Sequence, residues 1–387
     1  MNTIPPLTFS IWIGTMKKTF LLFALLASSG DLQSQIAYPF LDTQTKDEIV
    51  AYWYNVPRDS LRIKAIGQTL QFQSTLEIYG NAPSDSFLVS AQVRMPGGTT
   101  GFTRAFVVSK QPIDRSYQVQ RRGKYFRLIT TTHYAAAPPS TIVVKIQANG
   151  KTWTKESICR YHTLSGHVSD FAGKPFRAAV IVRPDDFDSG NGVWTDESGN
   201  YSILLPERVY SNVFVDDESY GIETAEAWGW HIILDKDQNL DFKVGTGEVY
   251  NLNVWPNNGG AKTYFISFRP MSLYLYQNAG KKATVSVEGK EVELIDIAPD
   301  LKAKDITVRF NGKGANIVSL QRYYEWTSGK VITAYLLQVS REGLENIGKQ
   351  TVTVEYQSEG EIQGKRLVHS SLGMFQFYPN FTGLSFY

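Results

Sequence analysis

The sequence has 387 residues, of which 42% are hydrophobic and 13% aromatic, so it can bury the cores of two or three domains of ordinary size. Its formal net charge at pH 7 is only +2. So small a charge creates no strong field for attracting DNA or an anionic membrane. Composition therefore argues against large-scale disorder and against nucleic acid as a partner.

The first 34 residues predict a signal segment. From Met16 onward, two lysines precede eight apolar residues, and small and polar residues follow. This layout is typical of a secretory signal peptide, and the apolar stretch is too short to span a bilayer. Residues 1–15 fit no part of the design, which makes Met16 an alternative start. We expect an exported protein, in the periplasm, at the cell surface or secreted, with no transmembrane segment.

The cysteine content indicates a fold that is stabilised by its hydrophobic core and not by disulfides. Cys159 is the only cysteine, so an intramolecular disulfide is excluded. We expect Cys159 to be a small buried apolar residue and not a reactive thiol.

After the signal segment, the predicted elements are almost all strands. Residues 43–56 suit a short helix or a strand equally well. Residues 141–158 predict a hairpin around Asn149-Gly150, and residues 282–297 predict another around Glu288-Gly289. Short alternating runs separated by turn signals every ten residues or so are typical of β-sandwiches and small barrels.

Residues 192–210 contain the clearest turn. Asp196 and Gly199 occupy the first and fourth positions that a type I turn favours. Tyr201, Ile203 and Leu205 then alternate as in a strand with one buried face, and the following proline ends the run.

Three blocks follow from this pass along the chain. After the signal segment (1–34), we expect an N-terminal β domain over 35–160, a middle β-sandwich over 161–278 and a C-terminal sandwich-like domain over 279–387. The predicted fold class is all-β, with three tandem sandwich-like modules.

The middle block contains two Asp-x-x-Gly turns, at Asp170–Gly173 and at Asp196–Gly199, each next to a predicted strand. In this it resembles the carboxypeptidase regulatory-like domain, a transthyretin-like β-sandwich. The resemblance is limited to about residues 162–217. The matching positions are Gly166, Val168, Asp170, Gly173, Pro175, Ala178 and Val180, then Thr195, Asp196, Gly199, Tyr201, Leu205 and Pro206. The resemblance implies an accessory domain without catalytic residues, similar in fold to sandwiches that stabilise enzymes or bind sugars. Likeness of fold is by itself a weak argument for function.

Aromatic side chains are the best candidates for ligand binding. Trp228, Trp230 and Trp255 can offer flat rings that stack on the apolar faces of sugars. The alternative is that they fill a sheet interface, because aromatic residues dominate protein cores. The core is favoured for Trp228 and Trp230, and Trp255 is the one most expected to meet solvent.

Oxygen-rich side chains at alternate positions between 235 and 241 suggest a calcium loop. Asp235, Asp237, Asn239 and Asp241 could converge on a hard cation if the backbone curled around it. The alternative, which the pattern favours, is a hairpin with its tip at residues 236–239. Calcium is the only cofactor that the sequence suggests.

Enzyme signatures are absent from the sequence. It contains no His-Glu-x-x-His, no Gly-x-Ser-x-Gly and no phosphate-binding glycine loop. His162 and His167 are five positions apart and lie on opposite faces of any continuous strand. We expect a non-enzymatic binding or scaffolding protein that recognises glycans or protein partners. The alternatives are a hydrolase of cell-wall or extracellular polymers, using carboxylates of the third block, and a structural spacer.

Overall fold

The computed structural model describes residues 49–54, 74–109, 117–122, 125–132, 138–184, 191–257, 261–278, 283–344 and 347–379. The predicted signal segment lies outside these residues. Within them, 26 strands accompany one short helix, α1 (Leu273–Gln277), and one 3₁₀ turn, Ala303–Asp305. This confirms the all-β, multi-module sandwich fold. No helix in the described part of the chain is long and apolar enough to cross a bilayer.

The N-terminal module is a sandwich of two four-stranded antiparallel sheets. One sheet has the order β1 (Val50–Tyr54), β2 (Ser74–Asn81), β6 (Tyr125–Thr132), β5 (Tyr117–Arg122). The other has the order β4 (Thr100–Val108), β3 (Phe87–Arg94), β7 (Thr141–Ala148), β8 (Lys151–Ile158). Apolar side chains from both sheets form a single core between them.

Local turn chemistry explains several of these strands. The β7–β8 hairpin turns at Asn149 and Gly150, both with positive φ, as predicted. Part of the ambiguous segment 43–56 is the strand β1, whose residues are mostly buried. The rest of that segment lies outside the described residues.

The middle module begins with five strands: β9 (Tyr161–Asp170), β10 (Ala179–Arg183), β11 (Asn191–Trp194), β12 (Asn200–Pro206) and β13 (Arg208–Asp216). The predicted turn before β12 is confirmed. The Asp196 carboxylate accepts backbone N–H bonds from Ser198 and Asn200 at 2.9 and 2.8 Å, and Gly199 has φ +79°. A Cβ on Gly199 would lie 2.4 Å from the carbonyl oxygen of Val168, so only glycine fits.

An eight-stranded sheet joins the middle block to the C-terminal block. Its order is β11, β10, β13, β14 (Ala227–Leu234), β26 (Lys365–Phe377), β25 (Gln350–Ile362), β21 (Ile306–Phe310), β22 (Lys313–Ala315). The junction is a short parallel pairing of β14 with β26, from Trp228 opposite Gly373 to Trp230 opposite Phe375. Strands from both sides of the predicted division at residue 278 thus share one sheet.

The C-terminal half adds a six-stranded sheet over this one. It contains β17 (Gly247–Pro256), β18 (Thr263–Ser272), β24 (Lys330–Ser340), β20 (Lys290–Ile295) and β19 (Ala283–Val287), with β23 (Ile317–Thr327) also paired to β24. The β19–β20 hairpin turns at Glu288 and Gly289 as predicted.

The eight-stranded sheet is the middle of three layers. The six-stranded sheet covers one of its faces, and a smaller sheet that contains the paired strands β9 and β12 covers the other. In β10, Val180 and Val182 pack towards β9 and β12, whereas Ala179 and Ile181 pack towards the six-stranded sheet. All five residues of β10 are buried. A strand covered on both faces reads as a continuous apolar run, which is what residues 178–182 show.

The predicted hairpin after β14 is wrong. Residues after Leu234 form β15 (Gln238–Asn239) and β16 (Phe242–Val244), and both pair in parallel with β9 instead of returning along β14. Apolar Leu240 and Phe242 reach the core beneath β9 and β12 in this way. Burial against a strand distant in sequence outweighs the local turn signal.

Candidate functional site

Two of the three predicted ligand-binding tryptophans lie in the core. Trp228 is 1% exposed and Trp230 is 7% exposed. Their rings stack on each other with centroids 4.8 Å apart, and Phe214 stacks on Trp228 at 5.1 Å. Tyr250 meets both indoles edge-on. The core position that the sequence favoured for Trp228 and Trp230 is what the structure shows, and the ligand-binding role considered for them is corrected, because protein atoms cover their ring faces.

Trp255 reaches the surface, with 37% of its area exposed. Register places it beside Phe265, and the two rings are tilted at 32° with centroids 5.9 Å apart. The next row along the same face contains Asn253, Ser267 and Leu336.

We call this solvent-side surface of the six-stranded sheet the outer face. It is defined by Asn253, Trp255, Phe265, Ser267, Leu336 and Gln338. None of these side chains carries a charge. An aromatic pair beside amides and a hydroxyl is chemically suited to a neutral polyhydroxyl ligand.

The acidic side chains of the predicted calcium loop contact different groups. Asp235 forms an ion pair with Lys349 at 2.6 Å and accepts a hydrogen bond from Tyr378. Asp237 and Asp241 each accept one backbone N–H bond from β9, and Asn239 lies in β15. In the described part of the chain, no group of three or more acidic, histidine or cysteine residues has a geometry that could hold a metal ion. Asp237 and Asp241 satisfy N–H groups along the edge of β9 where β15 and β16 join it.

Cys159 and the two histidines considered in the sequence, His162 and His167, have the following surroundings. Burial raises the pKa of Cys159 to about 11, which keeps it a thiol. His162 lies 3.0 Å from a carboxylate oxygen of Glu207. Because β9 is continuous, His162 and His167 lie on opposite faces, as the sequence spacing predicted.

A buried ionic group, missed by the sequence analysis, joins the N-terminal module to the middle module. Glu77 on β2 is 1% exposed and contacts two arginines, Arg127 on β6 and Arg208 on β13. Arg208 Nη1 lies 2.8 Å from one carboxylate oxygen, and Arg127 Nε lies 2.6 Å from the other. The hydroxyls of Tyr54 and Tyr79 donate to the same carboxylate at 3.0 and 2.7 Å. We call these five residues the joint network.

The positive charges of the joint network stabilise the ionised form of Glu77. Burial alone would raise the pKa of Glu77, but Arg127, Arg208 and the Tyr79 hydroxyl outweigh it and lower the pKa below its ordinary value. Arg208 also lies over the ring of Tyr52, 4.3 Å from its centroid. Tyr54 itself packs into the core of the middle module.

A second buried group, also missed, consists of three carboxyls. Asp216 ends β13, Glu226 precedes β14 and Glu248 lies on β17, and they are 2%, 2% and 4% exposed. Trp228 Nε1 donates to Glu248 at 3.2 Å, and the backbone N–H of Glu226 also hydrogen-bonds to Glu248. Among the described residues, no donor reaches one carboxyl oxygen of Glu226, and no side chain donates to the Asp216 carboxyl, which has only the backbone N–H of Asp217 beside it. We call Asp216, Glu226 and Glu248 the carboxyl cluster.

The carboxyl cluster contains three acid groups, and Arg183 is the cation that acts on Asp216 and Glu226. Burial, together with Asp217 and Glu248, raises the pKa of Asp216 to about 8 although Arg183 opposes the shift. Burial raises the pKa of Glu248 to about 7. Burial, Glu248 and Asp216 raise the pKa of Glu226 well above its ordinary value. Each of these groups therefore keeps its proton to a higher pH than an exposed carboxyl does.

Sequence reasoning missed both groups for the same reason. Charged residues such as Glu77, Asp216 and Glu226 look like solvated positions when only neighbouring residues are considered. A useful signal existed for the second group: Glu226 lies between alanines, just before the apolar run of β14.

Comparisons with known proteins add no argument about the fold or the function of this chain. No family model and no curated protein matches the chain. Among solved structures, it is similar to the group B streptococcus pilus 2b backbone protein, with 9% identity over 44% of this chain and 92% of that chain and a TM-score of 0.17.

Two further pilin structures give the same result. BcpA, the major pilin subunit of Bacillus cereus, has 13% identity over 51% of this chain and 70% of its own, with a TM-score of 0.18. The full-length major pilin SpaD from Corynebacterium diphtheriae has 9% identity over 51% and 65%, with a TM-score of 0.18. At these TM-scores the likeness carries no argument about function, and the all-β assignment rests on the strands themselves.

Proposed function

We propose that this chain is an exported, non-enzymatic scaffolding protein that holds its surfaces in a fixed relation to one another. The carrying observation is the way in which its modules are joined. A buried carboxylate with two arginines links the N-terminal module to the middle one, and one sheet runs from the middle block into the C-terminal block. Modules that merely follow one another on flexible linkers have no need of either device.

The energetics of the joint network support rigidity. If the two modules separated, the buried ion pair between Arg208 and Glu77 would break and Tyr54 would leave the core of the middle module. Breaking a buried ion pair by removing one partner typically costs about 3–5 kcal/mol. The joint therefore strongly favours a single arrangement of the two modules.

The resemblance of the middle module to carboxypeptidase regulatory-like domains supports the same role, because such domains are accessory units. The non-enzymatic part of the proposal is supported by the third block, where the hydrolase alternative would seek its carboxylates. There Glu293 forms an ion pair with Lys330 at 2.6 Å, and Asp300 with Lys302 at 2.7 Å.

Distance measurements across the joint test the scaffold. We suggest spin labels at the exposed positions Lys151→Cys and Lys365→Cys, in a Cys159→Ser background. We expect one narrow distance distribution, which broadens when Glu77→Ala is added. A broad distribution before that change, like that of domains on a flexible linker, would contradict the proposal.

A second candidate function, glycan recognition, is favoured by the outer face. Trp255 and Phe265 offer apolar ring surface, and Asn253, Ser267 and Gln338 offer amide and hydroxyl groups within the same two rows. Protein partners are the alternative occupant that the sequence suggested.

Titration with soluble neutral polysaccharides, followed by calorimetry, tests this second function. We expect Trp255→Ala to abolish binding. Trp153→Ala is the matched control, because Trp153 is 41% exposed but lies on β8 of the N-terminal module. Equal loss in both variants, or no heat with any polysaccharide, would contradict glycan recognition at the outer face.

A further inference from the structure

The carboxyl cluster lies at the seam between two layers of the molecule. Asp216 and Glu226 flank the loop between β13 and β14, which belong to the eight-stranded sheet. Glu248 belongs to β17 in the six-stranded sheet and contacts Trp228 across the interface. The three carboxyls are therefore held together only while the two sheets stay packed at this edge.

The surroundings of the cluster determine its charge. The titratable and charged groups that face it are Arg183 from β10, Asp217 and Tyr220 from the loop, Tyr250 from β17 and, further off, Arg269 from β18 and Tyr356 from β25. Full ionisation of the cluster would therefore bury several negative charges against little positive charge.

We propose that Asp216, Glu226 and Glu248 form a proton-dependent latch, which closes the seam between β13, β14 and β17 while the carboxyls hold protons and loosens it when they ionise. Two observations beyond the acidic composition carry this inference. One carboxyl oxygen of Glu226 is buried without any donor among the described residues, and the Asp216 carboxyl has only the backbone N–H of the neighbouring Asp217 as a donor. The cluster is 2–4% exposed, so solvent does not screen the charges.

The sign of the effect follows from linkage. An acid whose pKa is higher in the folded protein than in the unfolded chain binds more protons when folded. Unfolding then releases protons, and stability falls as the pH rises from the ordinary value towards the folded value. With ordinary values of 3.8 and 4.5 and folded values of about 8 for Asp216 and about 7 for Glu248, the loss develops from weakly acidic pH through pH 8.

The neighbouring tyrosines do not titrate in the pH range in which the carboxyl cluster loses its protons. Burial raises the pKa of Tyr220 and of Tyr356 well above 10, and that of Tyr250 is also raised. They remain neutral while the carboxyls titrate. Tryptophan fluorescence reports the opening directly, because Trp228 is in contact with Glu248.

The test is urea unfolding of the full chain between pH 6 and pH 9, followed by tryptophan fluorescence. For wild type, each proton released on unfolding raises the unfolding equilibrium constant about tenfold per pH unit. We expect Glu226→Gln and Asp216→Asn each to remove a large part of this slope. Glu223→Gln, an exposed residue of the same loop, is the matched control and should leave the slope unchanged.

Infrared spectroscopy gives a second readout that does not depend on the stability of the variants. A protonated carboxyl band should be present in wild type at pH 6, decline by pH 9 and be weaker in Glu226→Gln. Absence of that band, or an equal slope in wild type and both variants, would overturn the proposal. So would restoration of alkaline stability by calcium in wild type but not in Asp216→Asn, because a cation and not protons would then neutralise the cluster.

Discussion

The joint network and the carboxyl cluster both contain carboxyl groups that are almost fully buried, yet the pKa of Glu77 is shifted in the opposite direction to the pKa values of the cluster. Glu77 has two arginines and two hydroxyl donors, and its pKa is lowered. Glu226 has other carboxyls beside it and Arg183 as the opposing charge, and its pKa is raised. Burial acts identically on both groups, and the number of compensating charges decides the outcome.

The difference shows what each group can contribute. A neutralised carboxylate fixes two modules in one arrangement, because any other arrangement leaves an unpaired charge. An incompletely neutralised cluster stays closed only by keeping protons, which makes it sensitive to the medium. Four predictions probe this contrast, from the largest expected effect to the smallest.

Removing the carboxylate of the joint network should have the largest effect. We expect Glu77→Ala to cost about 3–5 kcal/mol, because Arg127 and Arg208 would remain buried without their counter-ion. Urea unfolding measures this loss. The control is Glu156→Ala, whose partner Arg94 lies 3.6 Å away at an exposed site and whose removal should cost at most about 1 kcal/mol. Similar losses of stability in both variants would show that the buried ion pairs of Glu77 contribute no more than the exposed pair of Glu156 and Arg94.

Removing a single donor to the carboxyl cluster should have a smaller effect. We expect Trp228→Phe to cost about 1–3 kcal/mol, because Glu248 loses the indole N–H that hydrogen-bonds to it. The same change should raise the pKa of Glu248 and steepen the alkaline loss of stability. Trp230→Phe is the matched control, since its N–H donates to the backbone carbonyl of Val249. An unchanged pH profile in Trp228→Phe would count against the assigned role of Glu248.

The two groups should loosen at opposite ends of the pH range. The lowered pKa of Glu77 means that its contribution is present above the ordinary value of 4.5 and is lost as the pH falls through the folded value. The carboxyl cluster behaves in the reverse way. Hydrogen exchange, corrected for the intrinsic pH dependence of amide exchange, should show opening of β2 and β6 in acid and of β13 and β17 in alkali. Opening of both regions at the same end would be inconsistent with these assignments.

The smallest effect is expected from Asp217→Asn. Asp217 is one of the charges that raise the pKa of Asp216, and its side chain accepts hydrogen bonds from Ser219 and Thr224. Removing its charge should shift the infrared titration of the cluster to slightly lower pH while the fold persists. A shift to higher pH would show that the local field has been assigned the wrong sign.

Sequence reasoning succeeded where structure is determined by neighbours along the chain. The turns at Asp196-Gly199 and Asn149-Gly150 depend on φ angles and on hydrogen bonds that span four residues or fewer. The alternating exposure of β12 follows from the same local periodicity, and Tyr201, Ile203 and Leu205 are buried as predicted. Such features can be predicted because few competing interactions decide them.

Sequence reasoning failed where the residues or strands that contact one another are far apart in sequence. The segment after Leu234 pairs with β9, about 70 residues earlier, and no periodic pattern encodes that choice. Glu77 finds Arg208 across 131 residues. Trp228 and Trp230 could have been surface or core from sequence alone, because an indole serves either role.

The pairing of β14 with β26 has a consequence for the order in which the molecule assembles. Gly373 lies so close to Val249 that a Cβ there would be 2.5 Å from its side chain, so β26 packs closely against β17 of the six-stranded sheet. Until this strand is available, β14 offers an unpaired edge to any other chain in the vicinity. The middle module therefore cannot complete itself during synthesis, and a ribosome must release nearly the whole described polypeptide before its central layer can close.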